Sequence, residues 1–494
     1  MKNKKVKYLA MLLAFSMAVS PMSYTKAYAE NAETAQAAGA VNAGENLADG
    51  AGIQEGTDTS GGTDTSGGTN TSDGTDTSGG TNTSDGSQSA DADHTGNESK
   101  ENGSENAPNY EDVEEINVID DHTVAFKLED KNVAFLDYMT MAVLPKHLLE
   151  GVDMQTSDFF RNPVGTGPYK IESWDEGQAI TLVKNEDYFK GEPSIDKVVF
   201  KIVPDDNAKA LQLKSGELDL ALLTPKDAAA FADDEAYTCY DMKTSDYRGI
   251  MFNFGNEYWQ KNRDLIPAVC YGLDRQAIID AVILGQGMPA YGPLQRNIYN
   301  YEDVEHYDYN PEKAKEILEA AGCEMGDDGF YYRDGEKVGF VISVSAGDQV
   351  RIDMAQIAAQ ELKEIGMDVS VEIPAQTDWA GQMAFLIGWG SPFDADDHTY
   401  KVFGTDKGAN YSGYSNADVD KYLTEARQSA DPEVRAEAYA NFQKALAEDP
   451  AYAMICYIDA NYVADSNIKG IDPDTIMGHH GVGIFWNVAD WTIE

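Results

Sequence analysis

Asn162–Ala221 reads NPVGTGPYKIESWDEGQAITLVKNEDYFKGEPSIDKVVFKIVPDDNAKALQLKSGELDLA, with glycines, prolines and acids in an order that no generic core segment needs. GTGPY is a turn feeding a strand, because Gly165 and Gly167 open backbone angles closed to other residues and Pro168 fixes its own φ. Ile180 and Leu182, then Val198, Phe200 and Ile202, alternate as the residues of half-buried strands do. In KSGELDLA, Gly216 closes a helix and the chain enters another strand.

This block resembles the extracytoplasmic solute-binding proteins of ABC importers, family 5, which capture peptides, nickel chelates and opines. The resemblance covers most of the chain from about Glu115 onward. It implies an α/β, two-lobed fold of the periplasmic-binding-protein type (type II), with crossing strands between the lobes and the ligand enclosed between them. It also implies capture of a peptide-like small solute and delivery to ABC permease subunits at the membrane. The expected protein is a monomer that is not an enzyme and needs no cofactor.

Met1–Ala29 reads as a secretory signal: basic KNKKVK, the apolar run YLAMLLAFSMAVS, then a small-residue site at Ala27-Tyr28-Ala29. The apolar run is short for a span of about 20 residues. The expected location is therefore extracytoplasmic, at the cell envelope. No cysteine precedes Cys239, so the lipidated cysteine that tethers many relatives is not found. The 85 acids against 37 bases give a formal net charge of −48, a field that repels phosphate backbones and argues against nucleic acid. Cys239, Cys270, Cys323 and Cys456 show no zinc spacing; three disulfide pairings or four isolated thiols are open.

Residues 57–86 repeat the hexamers TDTSGG and TNTSDG. Together with their flanks, about 30–107, they carry too few large apolar groups to offset roughly 1–2 kcal/mol of ordering entropy per residue. The expectation is a disordered linker, either a flexible spacer through a cell-wall layer or a drifting repeat with no role of its own. From Glu111 the composition turns globular. INVIDDHTVAFKLED is a strand, turn and strand; AFLDYMTMAVLPKHLLEG is a helical stretch interrupted by Pro145. Asp274 caps RQAIIDAVILG, whose Ile278, Ile279, Val282 and Ile283 make an apolar face. Asn310-Pro311 opens PEKAKEILEAAG, residues 348–365 form another helix, and Met367, Val369, Val371 and Ile373 alternate as a strand. Asp431-Pro432 opens a helix with Val434, Ala438, Phe442 and Leu446 at helical spacing. By resemblance, 108–247 with 463–494 form lobe I and 248–462 lobe II. Relatives begin lobe I with strands and a W-E-x-S-x-D-G segment where this chain has the linker, so lobe I is expected to be partial, with uncovered edges.

LIGWGSPFDADDHTYKVFG, Leu386–Gly404, is the leading site segment. An apolar strand delivers Gly388, Trp389 and Gly390 to an Asp-rich turn, where glycine lets a ligand approach the backbone. By resemblance this strand end faces the cleft, and Pro392 stands where peptide binders place the Asp that holds an α-amine. WGSPFD is similar instead to the WGAPYD pattern of nickel-chelate binders, which brings metal chelates and opines in as alternative ligands. The candidate ligand contacts are Gly388, Trp389, Gly390, Ser391, Phe393, Asp394, Asp397, His398, Asn253 and Phe254, with Asp394 and His398 as weak metal candidates. The competing reading makes Asp396 or Asp397 a helix cap before HTYKVF. His479-His480 could also reach a metal, against the reading of a solvent-exposed pair in a Gly-rich turn, and Trp379 is a further stacking candidate. A secreted hydrolase would need carboxylates in a fixed pair, yet the chain has no G-x-S-x-G, HExxH or Walker signature. A surface interaction protein is the third class.

Overall fold

The computed structural model describes residues 110, 112–140, 142–153 and 157–494. The expected signal and linker lie outside them. β1 (Val113–Asp120) and β2 (Thr123–Leu128) form a hairpin at Asp121-His122. The next apolar stretch makes only two short helices, Phe135–Tyr138 and Lys146–Leu149. Pro145, expected to interrupt a longer helix, is the extended residue that opens the second.

Beyond the GTGPY turn, β3 (Tyr169–Asp175), β4 (Ala179–Lys184) and β5 (Lys197–Lys201) form an antiparallel sheet. Ile180 pairs with Phe200 and Leu182 with Val198, as the alternation predicts. Asp205 caps the helix Asp206–Lys214, and Gly216, at φ +73°, turns the chain towards β6 (Leu220–Leu223). Val199 and Leu211 on these elements are exposed.

β7 (Tyr237–Phe252) is the first long strand of the main sheet, which β6 also joins. The elements that follow are β8 (Gly287–Pro289), the small meander of β9 (Glu324–Met325), β10 (Tyr331–Arg333) and β11 (Glu336–Lys337), then β12 (Val341–Ser343), β13 (Ser370–Glu372), β14 (Ala384–Trp389) and β15 (Tyr452–Asp465). The seven-stranded sheet runs β13-β12-β14-β7-β15-β6, with β8 also on β15. β7 and β15 are antiparallel over almost their whole length, from Tyr237↔Asp465 to Met251↔Tyr452. One end of this long ribbon carries β6; the other carries β14, and β12 beyond it. These are the crossing strands of a two-lobed α/β fold.

Helices cover the β14 end because their caps and apolar faces fall where local chemistry puts them. Asp274, Asn310 and Asp431 accept backbone N–H groups of Ala277, Lys313 and Glu433. Ile278, Ile279 and Ile283 are buried; Ala438, Phe442 and Leu446 are too, whereas Val434 is exposed. Trp259 is fully buried, and its indole N–H donates to the Met383 carbonyl at 2.7 Å. The strand expected over 367–373 is shorter: Met367 and Val369 are buried ahead of β13, and Ile373 lies exposed past its end. All four cysteines are free thiols, three of them buried.

At the β6 end, β16 (Ile468–Lys469) and β17 (Thr492–Ile493) pair, and Ile471, Ile484 and Trp491 pack on Met242 and Tyr462. The segment 132–140 docks elsewhere, on the helices Ala395–Phe403 and Ala417–Gln428. Val133 N–H donates to the Arg427 carbonyl, and the Tyr138 hydroxyl donates to Asp396. Asp396, 1% exposed, also takes Arg427 at 2.8 Å.

Candidate functional site

β14 pairs with β7 so that Gly388 lies opposite Arg248 and Trp389 opposite Tyr247. Alternation along β7 places Asp246 and Arg248 on one face. Both are buried, and a buried charge persists only when paired and hydrogen-bonded. Asp246 meets that demand fully. One oxygen takes Arg248 and the Nδ1 of His479 at 2.9 Å; the other accepts the His480 backbone N–H at 3.0 Å. Burial opposes its charge, but Arg248 and then His479 outweigh burial and hold the carboxyl well below its ordinary range. The histidine loop is fixed to β7 by the Ser245 N–H on the Met477 carbonyl and a Thr244–Met477 bridge.

Arg351 enters from the first turn of the helix Gln349–Glu364, whose cap Asp348 also pairs with its Nε at 3.1 Å. Its Nη2 is buried and makes no hydrogen bond among the described residues. Burial, then Arg248, pushes its pKa down to about 10. Two guanidinium groups thus lie side by side over Gly388, Arg248 paired with the buried Asp246 and Arg351 with Asp348. They fit over β14 because residue 388 is glycine: a Cβ there would stand 2.8 Å from Arg351 Nη2 and closer still to Arg248. Gly390 serves a similar end, since a Cβ there would run into the Ser245 carbonyl.

Trp389 joins the cluster through its ring. Trp379 stacks on Tyr411 (5.0 Å, 27°), Tyr411 on Trp389 (6.0 Å, 20°), and Trp389 on His479 (6.3 Å, 26°). This ladder links Trp379, exposed at 41%, to the histidine loop.

The other residues of the Asp-rich turn have different work. Asp394, rather than Asp396 or Asp397, caps the helix Ala395–Phe403, and it grips Arg435 through both oxygens at 2.7 and 2.8 Å. Asp397 pairs with Lys401 at 3.4 Å. His398 is 3% exposed, with its Nε2 2.9 Å from the Tyr247 hydroxyl, and burial pushes its pKa down to about 3. Asp394 and His398 therefore do not converge as metal donors. The donors that do are Asp246, His479 and His480, whose atoms lie within 4.8 Å of one another. Ser391 and Phe393 sit in the turn after Gly390, Phe393 exposed.

Asn253 and Phe254 are not brought to this place. They lie past the far end of β7, about 23–26 Å from Asp246 at about 3.3 Å per strand residue. Asn253 donates to the Ala380 and Gln382 carbonyls, and Phe254 packs on Tyr414 under Arg263. Asp246, Arg248 and Arg351 were missed by reading the sequence. The available signal was SDYR, two opposite charges at alternate positions just before the apolar GIMF run of one strand.

Residues 81–411 match the family described as bacterial extracellular solute-binding proteins, family 5 (middle). The oligopeptide-binding protein AppA of Bacillus subtilis is 31% identical over 417 residues, covering 80% of this chain and 75% of AppA. Protein XP55 of Streptomyces lividans is 33% identical over 358 residues, covering 71% of this chain and 66% of XP55. Among solved structures, NikZ of Campylobacter jejuni in complex with Ni(L-His) superposes with a TM-score of 0.73 at 33% identity, over 79% of this chain and 80% of NikZ. AppA of Bacillus subtilis with a nonapeptide gives 0.69 at 28% identity, over 79% and 80%. With its crossing ribbon and the cluster beside it, the chain belongs to the bacterial extracellular solute-binding proteins of family 5, the non-enzymatic substrate-binding components of ABC transporters.

Proposed function

We propose that this chain captures a small peptide-like solute whose carboxylate enters between Arg248 and Arg351, and hands it unaltered to an ABC permease. The observation that carries the reading is the unpartnered Nη2 of Arg351 beside a second buried guanidinium. Arg248 is paired with Asp246 and Arg351 with Asp348, yet Nη2 of Arg351 is left without an acceptor among the described residues, and an incoming carboxylate supplies one through charge-assisted hydrogen bonds. Gly388 lies against both guanidinium groups, and Trp389 and Gly390 follow it in the chain. The relatives' names support the class: AppA is an oligopeptide-binding protein.

The proposed lobes are 108–247 with 463–494, and 248–462, meeting along β7 and β15. Hinge closure around a ligand is the established behaviour of periplasmic binding proteins. Ligand favours the closed form only by binding it more tightly than the open one. The protein works as an extracytoplasmic monomer, without nucleic acid, cofactor or catalysis. Among the described residues no helix is long and apolar enough to cross a membrane.

A second reading, a nickel–amino-acid chelate, is favoured by the convergence of Asp246, His479 and His480. It uses the same guanidinium groups for the chelator's carboxylate. Native mass spectrometry of the protein as purified separates the two. A retained mass matching a peptide supports the first, a nickel-containing mass the second, and a folded protein that picks up neither peptides nor Ni(L-His) on addition refutes both.

A further inference from the structure

Away from the Asp246–Arg351 cluster, a cavity of about 190 Å³ opens between residues 288–307, the start of the helix Arg275–Ile283 and the end of the helix Pro432–Glu448. It shares no residue with the cluster. Arg275 lies in its wall, only 5% exposed. Its Nε and Nη1 donate to backbone carbonyls, Met454 and Tyr307 at 2.8 Å each, Ala290 and Cys270 at 3.2 Å each, and Leu273 at 3.4 Å. No carboxylate lies within ion-pair distance among the described residues, and Asp308 and Glu361 act on it only at longer range. Nη2 makes no hydrogen bond among the described residues. Carbonyl dipoles solvate a guanidinium without neutralising it, so the charge is left without a contacting counter-ion.

The remaining wall suits an apolar body. Met288, Leu446 and Met454 line it. Tyr291 lies 5.3 Å from the Arg275 guanidinium carbon and stacks on His306 at 4.4 Å and 7°, a flat aromatic surface. Apolar cavities of about 150 Å³ accept benzene, and this one leaves room for a carboxylate as well. Glu302 at the rim is exposed, where solvent screens its charge.

We propose that this cavity is a second binding site, for a small apolar carboxylic acid, with the carboxylate on Nη2 of Arg275 and the hydrocarbon or aryl body against Met288, Leu446 and Met454. Such a site is separate from capture in the cleft and makes the stability of this half of the molecule responsive to an aromatic or branched-chain acid.

Benzoate is the probe, with benzamide and benzyl alcohol as neutral counterparts, read by ligand-observed NMR and thermal melting of the full chain. Benzoate is expected to bind and raise the Tm, and benzamide to bind about tenfold more weakly, the worth of one charge-assisted contact. Arg275→Lys removes the fork but also unties five carbonyls, which disturbs the fold itself. Val304→Trp, which fills the half-buried rim, is therefore the main variant and should fold yet lose benzoate. Arg351→Gln should keep it. No binding at millimolar benzoate, equal binding of benzamide, or loss in Arg351→Gln with retention in Val304→Trp would each overturn the proposal.

Discussion

Gly388 and Arg351 compete for one space: a Cβ on residue 388 would stand 2.8 Å from Nη2 of Arg351 and would also strike the Arg248 guanidinium. The groups in the way are ends of flexible side chains, so they can swing aside without moving the strands. Gly388→Ala should therefore fold with an unchanged far-ultraviolet spectrum and lose solute affinity by about tenfold or more, the scale of one displaced charge-assisted hydrogen bond. Titration calorimetry checks this; an unchanged Kd would remove the guanidinium pair from the site.

His398 and His480 are predicted to behave in opposite ways. His398 is sealed in the core with its Nε2 at the Tyr247 hydroxyl. His398→Ala should lower the denaturation midpoint, by the 1–3 kcal/mol or so that an unsatisfied buried partner costs, and leave nickel affinity as it was. His480→Ala should do the reverse, since His480 is exposed and its ring is one of the converging donors. Nickel titrations alongside urea melts read both.

The tether between residues 132–140 and the helix Ala417–Gln428 rests on Asp396. Removing this carboxylate leaves Arg427 buried with only the distant Asp112, 3.8 Å away. Asp396→Ala should destabilise by about 3–5 kcal/mol, the range for a broken buried pair. Tyr138→Phe removes one hydrogen bond and should cost about 1 kcal/mol. A protease-protection assay on the hairpin β1–β2 should show it released in the first variant and retained in the second.

Glu361 gives the molecule a pH dependence. Burial pushes its carboxyl up to about 7, against the hydrogen bond that it accepts from the Asp274 N–H. Its folded pKa lies above the unfolded value, so between about 4.5 and 7 the folded state holds more protons than the unfolded one. This contribution to stability is fully present below that window and is lost as pH rises through it. Glu361→Gln should match the wild type near pH 4 and be more stable at pH 8. Parallel guanidinium melts at the two pH values check the sign; equal midpoints at pH 8 would contradict it.

The parts of the fold legible in the sequence are those set by neighbours in the chain. Asp274, Asn310 and Asp431 cap their helices because a short oxygen side chain reaches an N–H two or three residues on, wherever the rest of the molecule lies. The turn before Tyr169 and the left-handed Gly216 are equally local. The short helix after Ala134 and the curtailed strand at Ser370 are not, since tertiary packing decided how far each pattern ran. The site divides in the same way. Gly388, Trp389 and Gly390 were visible as a glycine-flanked tryptophan at a strand end. Their partners were not: Arg248 faces Gly388 only through the β7–β14 register, and Arg351, at a helix start in a polar stretch, reads as a solvated surface residue until the fold closes over it.

The central claim is that a solute carboxylate sits on Arg351. Isothermal titration of the wild type and Arg351→Gln with a panel of short peptides, their C-terminal amides and Ni(L-His) tests it directly. The account predicts that a free-carboxylate solute binds the wild type, that its amide or the Gln variant weakens binding by about tenfold or more, and that the two changes together add little. A folded wild type that binds none of the panel, or one whose affinity is the same with Gln at residue 351, would contradict it.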